Sequence, residues 1–141
     1  VPLWRNLAAR GEPLPITDPN MTRFWFTLDG AVDMVVWLLG HMKGGELLVP
    51  KLSAYTVADL AAAINPEGGA TEIVGIRNGE KLHEQMISAD EGYLFRDAGC
   101  YYVRALDYTE GTPCPAGFSF SSDKANLLTV NTLRKLLTTI P

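Results

Sequence analysis

Scarcity narrows this chain before any motif does. No run approaches the roughly 20 consecutive apolar residues of a bilayer-crossing helix, and the first residues lack the succession of a secretory signal peptide. A cytoplasmic location is therefore expected. Only two cysteines occur, Cys100 and Cys114, in neither a Cys-x-x-Cys pair nor a Cys/His cluster, so no metal site is indicated. One disulfide is open to them; two separate thiols in a reducing compartment is the simpler expectation. The only two histidines, His41 and His83, leave no legible Ser/His/Asp arrangement. His41 reads as a helix C-terminal residue that favours the dipole, and His83 as a partly buried packing residue. The 12 basic residues are outnumbered by 16 acidic ones and form no cluster, which argues against a nucleic-acid partner. No GxGxxG or GxxGxxG follows a strand-like run, so a dinucleotide cradle is absent.

What is present suits one folded domain. A hydrophobic share of 47% with 20% charged residues excludes a disordered chain, and 141 residues suffice to bury a core. The chain opens on Val1-Pro2-Leu3-Trp4 without a methionine and runs straight into a helical pattern. That beginning reads as a cut inside a larger protein.

The most informative stretch is Thr71–Ser88, TEIVGIRNGEKLHEQMIS. Ile73, Val74 and Ile76 give a strand signal, and Asn78-Gly79 is a turn dipeptide in which glycine tolerates positive φ. From Glu80 the spacing of Leu82, Met86 and Ile87 predicts an amphipathic helix. The N–H groups opening such a helix, with Arg77 beside them, would seat a phosphate or carboxylate. The same residues also fit a plainer role, with Glu80 offsetting a helix dipole and Arg77 paired with a surface carboxylate.

The remaining pattern is mixed α/β. Pro2–Arg10 reads as a helix with Leu3, Trp4, Leu7 and Ala8 on one face, stopped by Gly11. Glu12–Thr17 holds two prolines and allows only a short edge strand, Asp18-Pro19-Asn20 is turn chemistry, and Arg23–Thr27 is an aromatic strand. Thr27 caps a helix from Leu28 to about Lys43. Its stripe of Leu28, Ala31, Val32, Val35, Leu38, Leu39 and Met42 marks it as the core helix, and Gly44-Gly45 closes it. Glu46–Val49 is a short strand. Thr56 caps a helix facing inward with Val57, Leu60, Ala61 and Ile64 and ending at Asn65-Pro66, before a Pro66–Ala70 loop. Tyr93–Phe95 and Cys100–Val103 are expected as short strands, Tyr108–Pro115 as a loop, and Val130 to about Ile140 as a last helix capped by Thr129.

Four segments in order carry a resemblance. GIRNGEKLHE (Gly75–Glu84), ITDPNMTRFWFTLDGAVDMV (Ile16–Val35) and FSFSSDKANLLTV (Phe118–Val130) are similar to the GxRxGEKLHE, ITDxxMTRFWxTLDxAV and YSSxxNxxxLTV elements of bacterial nucleotide-sugar 4,6-dehydratases, and GGELLVPKLSAYTVADLAAAI (Gly44–Ile64) continues the match in the right order. These belong to the extended short-chain dehydrogenase/reductases. The resemblance points in particular to the UDP-N-acetylglucosamine 4,6-dehydratases of polysaccharide and flagellin-sugar biosynthesis.

The resemblance implies an α/β fold: the C-terminal substrate-binding part of such an enzyme, one domain over 1–141 with a tail subregion at 89–141, its Rossmann core missing. It implies that Arg23 and Arg77 contact the diphosphate of a UDP-sugar. Glu80 would bind a hydroxyl or steady Arg77, Val1 and Pro2 would lie near the uracil, and Thr22 would be a neighbour. The reaction implied for the parent is oxidation at C4 by bound NADP, loss of water across C5–C6 and return of the hydride to C6. NADP would be bound by the missing N-terminal part and none by this segment. The implied partners are the UDP-sugar, that N-terminal Rossmann half and further copies in a homo-oligomer. The superfamily's Tyr-x-x-x-Lys is not found: Tyr55, Tyr93, Tyr101, Tyr102 and Tyr108 are followed four residues on by Asp59, Asp97, Ala105, Leu106 and Thr112. No catalytic residue is therefore assigned. The sequence departs from the pattern at Asn78, where many relatives have proline, and at Phe120, where a tyrosine is usual. Two other readings stand beside this one: another UDP-sugar epimerase or dehydratase, and a non-catalytic docking domain, which would not need two converging guanidinium groups.

Overall fold

Three threonines set where three of the helices begin. Thr27, Thr56 and Thr129 accept hydrogen bonds on Oγ1 from the N–H three residues on, at 3.1, 3.0 and 3.2 Å, each worth about 1 kcal/mol. In the computed structural model, which describes residues 1–140 except 66, 106 and 108, they open α2 (Leu28–His41), α3 (Val57–Ile64) and α4 (Val130–Leu137). α1 (Pro2–Ala9) starts with proline in its first turn, where no N–H is needed. Gly11 just beyond it takes φ 68°, as expected of a helix-ending glycine. The pattern read from the sequence thus places the four α-helices found among the described residues, with α4 ending at Leu137 rather than Ile140.

Among the described residues, ten short strands form four small sheets. β1 (Leu14–Ile16) pairs in parallel with β5 (Thr71–Ile73), and β2 (Thr22–Phe24) lies antiparallel to β4 (Ala54–Thr56). β6 (Gln85–Ile87) pairs with β10 (Phe120–Ser121) across a register shift. β3 (Leu47–Pro50), β8 (Tyr101–Arg104), β7 (Arg96–Asp97) and β9 (Thr112–Pro113) make the largest sheet, in the order β3-β8-β7-β9. One core gathers Val49, Ile87, Phe95 and Phe120 beneath this sheet. A second joins α3 to α4 through Leu60, Ala63, Leu133 and Leu137, and a third packs Leu14, Ile16 and Ala61 against α1. Across the ends of the chain, Arg5 donates to the carbonyls of Leu137 and Ile140 at the C-terminus of α4, where a cation complements the dipole.

Four expectations are corrected. No helix follows Glu80; the segment runs extended into β6. The carbonyls of Leu82 and Glu84, which a helix would use internally, instead accept from the N–H groups of Thr22 and Ser122 at 3.0 and 2.8 Å. Tertiary pairing overrides the local four-residue spacing. Gly92–Leu94 is a 3-10 turn, not a strand, closed by Leu94 N–H to Glu91 O at 2.9 Å. Within the expected 108–115 loop, of which Tyr108 lies outside the described residues, Thr112–Pro113 pairs with β7.

The fourth correction is α2, which is not the core helix: none of its residues is buried. Met34, Trp37, Leu38, His41 and Met42 line clefts above the β3-β8 sheet, while Leu28, Val32, Val35, Val36 and Leu39 face outward, Leu28 and Leu39 at 80% and 79% exposure. Periodicity identifies an apolar face but not what covers it. An exposed apolar face of this kind favours association, and the chain is expected to self-associate. Light scattering should show mass rising with concentration. Val35→Glu with Leu39→Glu should return it toward monomer, with stability changed by under about 0.5 kcal/mol. A monodisperse wild-type monomer with a high melting temperature would instead mark an autonomous domain.

Candidate functional site

β2 carries Arg23 between two neighbours. On one side Arg23 pairs with Tyr55 of β4. On the other, Thr22 N–H donates to Leu82 O at 3.0 Å, lacing the strand to the segment after the Asn78-Gly79 turn. The Arg23 guanidinium lies along this seam. Nη1 donates to Thr22 O at 2.7 Å and Leu82 O at 3.3 Å, and Nε stands 3.5 Å from Glu84 Oε1. Burial pushes the Tyr55 phenol above its ordinary value, opposed by the Arg23 charge.

Arg77 stands on an exposed turn of its own. Gly79 takes φ 87°, a conformation costly for any residue with a Cβ. Glu80 closes the turn twice: its N–H donates to Arg77 O at 3.1 Å, and its Oε2 accepts from Arg77 N–H at 3.1 Å. The carboxylate therefore steadies the backbone of Arg77. With no helix behind this turn, a row of helix N–H groups is not part of the seat, and Arg77 offers its guanidinium alone. Among the described residues that group has no partner, and it shares none with Arg23.

Val1 is the N-cap of α1, its carbonyl accepting from Arg5 N–H at 3.1 Å, and Pro2 follows as the first helical residue, exposed. Val1 lines a cavity of about 260 Å3 with Phe24, Trp25, Phe26, Thr27 and Tyr55. Trp25 and Tyr55 meet edge-on with centroids 5.8 Å apart. Such a wall suits a planar ring. Thr22 is buried and its hydroxyl faces inward, to Ser122 Oγ at 2.6 Å and His83 Nδ1 at 2.8 Å. Ser122 and His83 were not singled out as site residues from the sequence. The Ser-Ser pair is visible there, but nothing local tells that the second serine is wholly buried.

Other polar groups hold the frame. Lys51 Nζ donates to both oxygens of Asp97 at 2.6 and 2.7 Å, and lies 4.7 Å from the centre of the Tyr102 ring. That hydrogen bond raises the lysine and lowers the aspartate from their ordinary values. Ser121 donating to Asp123 lowers that carboxyl likewise. His41 Nδ1 lies 2.7 Å from Trp37 O at the end of α2, as expected of a helix C-terminal histidine. Cys100 and Cys114 are free thiols; Cys114 is buried, which pushes its thiol up. Among the described residues no cluster of metal-ligating side chains occurs, and no helix is long and apolar enough to cross a membrane. At the starts of α2 and α3, Thr27 and Thr56 each cap one backbone N–H, of Gly30 and Asp59.

The fold is that of a known class of mixed α/β structures. It superposes on the X-ray structure of Pen from Bacillus thuringiensis with a TM-score of 0.80 over 97% of this chain and 44% of that one, at 24% identity. The chain belongs to the polysaccharide biosynthesis protein family, whose model matches residues 1–105. It is 38% identical to a UDP-N-acetylglucosamine 4,6-dehydratase (inverting) of Campylobacter jejuni, with 87% of this chain and 41% of that protein covered. It is also 34% identical to a UDP-glucose 4-epimerase of Rickettsia canadensis, over 76% of this chain and 32% of that protein. The chain thus spans about two fifths of the Campylobacter protein and a third of the Rickettsia one.

Proposed function

We propose that this chain is the nucleotide-sugar-binding portion of a UDP-sugar dehydratase resembling UDP-N-acetylglucosamine 4,6-dehydratase, serving bacterial polysaccharide or flagellin-sugar biosynthesis. The observation that carries this reading is the lacing of β2 onto the 82–84 segment, which joins Arg23 to the strand end of the loop bearing Arg77 and Glu80, all within the family-matched residues. In this reading Arg23 and Arg77 bind the diphosphate, whose roughly two negative charges suit guanidinium forks. Glu80 keeps the Arg77 turn closed, Val1 and Pro2 with Trp25 take the uracil, and Thr22 stands behind Arg23. NADP and the groups that act on the sugar belong to an N-terminal Rossmann half outside this chain, in a cytoplasmic homo-oligomer.

The test compares this chain with the longer protein that contains it, both supplied with UDP-N-acetylglucosamine. The longer protein is expected to release a nucleotide-sugar lighter by one water, and the 141-residue chain to release none. A product of unchanged mass would identify a 4-epimerase instead. Turnover by the chain alone would overturn the division of labour.

A further inference from the structure

Thr22 and Ser122 are buried, at 3% and 0% exposure, and their hydroxyl groups form a closed hydrogen-bond system with His83. Ser122 Oγ accepts from Glu84 N–H at 2.9 Å and donates to Thr22 O at 3.2 Å. Thr22 Oγ1 lies 2.6 Å from Ser122 Oγ and 2.8 Å from His83 Nδ1. Each hydroxyl has a single proton to give. If the Ser122 proton goes to Thr22 O, the Thr22 proton goes to Ser122 Oγ, and Thr22 Oγ1 must accept from His83. This is the assignment that uses every contact, and it makes His83 Nδ1 a donor. The chain ties three segments far apart in sequence: β2, the segment after the Arg77 turn, and the start of the tail.

Both carbonyls that seat Arg23 Nη1 belong to this system. Thr22 O accepts from Ser122 as well as from Arg23, and Leu82 O, next to His83, accepts from Thr22 N–H as well as from Arg23. We propose that Thr22, through Ser122 and His83, is a positioning residue that fixes where Arg23 presents its guanidinium, and touches no substrate itself. The inference rests on the nucleotide-sugar reading above. Removing the hydroxyl at constant shape leaves buried partners unsatisfied and shifts the carbonyl seat.

The first arm needs no substrate. In 15N spectra of the chain, recorded at a pH where imidazole is neutral, His83 is expected with its proton on Nδ1, and Thr22→Val should abolish that preference. A proton on Nε2 instead overturns the relay. The second arm measures UDP-N-acetylglucosamine binding by the longer protein. Thr22→Val is expected to raise KM roughly three- to tenfold with kcat little changed, and Thr22→Ser to restore it. In an Arg23→Ala background Thr22→Val should add nothing, because the residue acts through Arg23. Equal losses for valine and serine, or additivity with Arg23→Ala, overturn the positioning role. If the longer wild-type protein fails to bind the nucleotide-sugar, the functional reading falls, while the His83 spectrum still decides the relay.

Discussion

Arg77→Lys is expected to weaken UDP-sugar binding roughly ten- to a hundredfold, although the charge is kept. Arginine presents a planar fork that meets two phosphate oxygens at once, while lysine offers a point charge on a flexible stem. A charge-assisted hydrogen bond contributes about 1.5–3 kcal/mol, which sets that range. Gly79 permits the reversal at this turn, and Glu80 holds the Arg77 backbone at both its N–H and its carbonyl. Arg77→Ala should be worse. Asn78→Pro should be nearly silent, since it moves toward the pattern of similar proteins. A surface arginine with no ligand predicts under about 1 kcal/mol for either arginine change. Calorimetric titration of the longer protein separates the two cases. If Arg77→Lys binds as tightly as the parent, the clamp at this turn should be abandoned.

Gly92→Ala should be among the costliest changes to the stability of the tail. A Cβ there would lie 1.9 Å from Phe118 O and 2.7 Å from Phe118 C, and backbone atoms cannot swing aside as a side-chain tip does. Phe118 in turn packs on Tyr102 with centroids 4.9 Å apart. Gly92 opens the 3-10 turn that delivers Phe95, 1% exposed, into the core beneath the largest sheet. Either the turn or that aromatic packing must move. The expected loss is about 3 kcal/mol or more, a fall in melting temperature on the order of 10 °C. Gly40→Ala is the control: it lies in α2 with nothing within 4 Å of its would-be Cβ, and should gain up to about 1 kcal/mol. Equal melting of Gly92→Ala and the parent would mean that this close approach does not exist in solution.

Local chemistry was legible where it decides the outcome locally. Thr27, Thr56 and Thr129 are short hydroxyl residues ahead of apolar spacing, and each opens a helix. The prolines of 12–17 confined β1 to a short strand with one partner. The sequence misled where distant segments settle the matter. Leu82 and Met86 sit four apart, yet the carbonyls between them are used by Thr22 and Ser122, respectively 60 and 38 residues from the groups they meet. The outward stripe of α2 obeys helical spacing as well as any buried face does. For the site, turn chemistry marked Arg77 and Glu80 as candidates, and Arg23 came from the resemblance alone. The burial of Thr22 and Ser122 follows only from β2, β6 and β10 coming together, which no window of a few residues contains.

The placement of Arg5 has a consequence for the order of events during synthesis. Its guanidinium rests on carbonyls at the C-terminus of α4, 132 and 135 residues further along, and α1 shares Trp4 with the core that joins α3 to α4. Helix α1 is thus synthesised well before the residues that partner it exist. Until then Trp4 and the inner face of α3 lack their cover, and closing so long a loop is slow. Translation of this segment therefore ends with its least protected intermediate, and a stop codon placed before Leu133 would leave that intermediate with nothing to complete it.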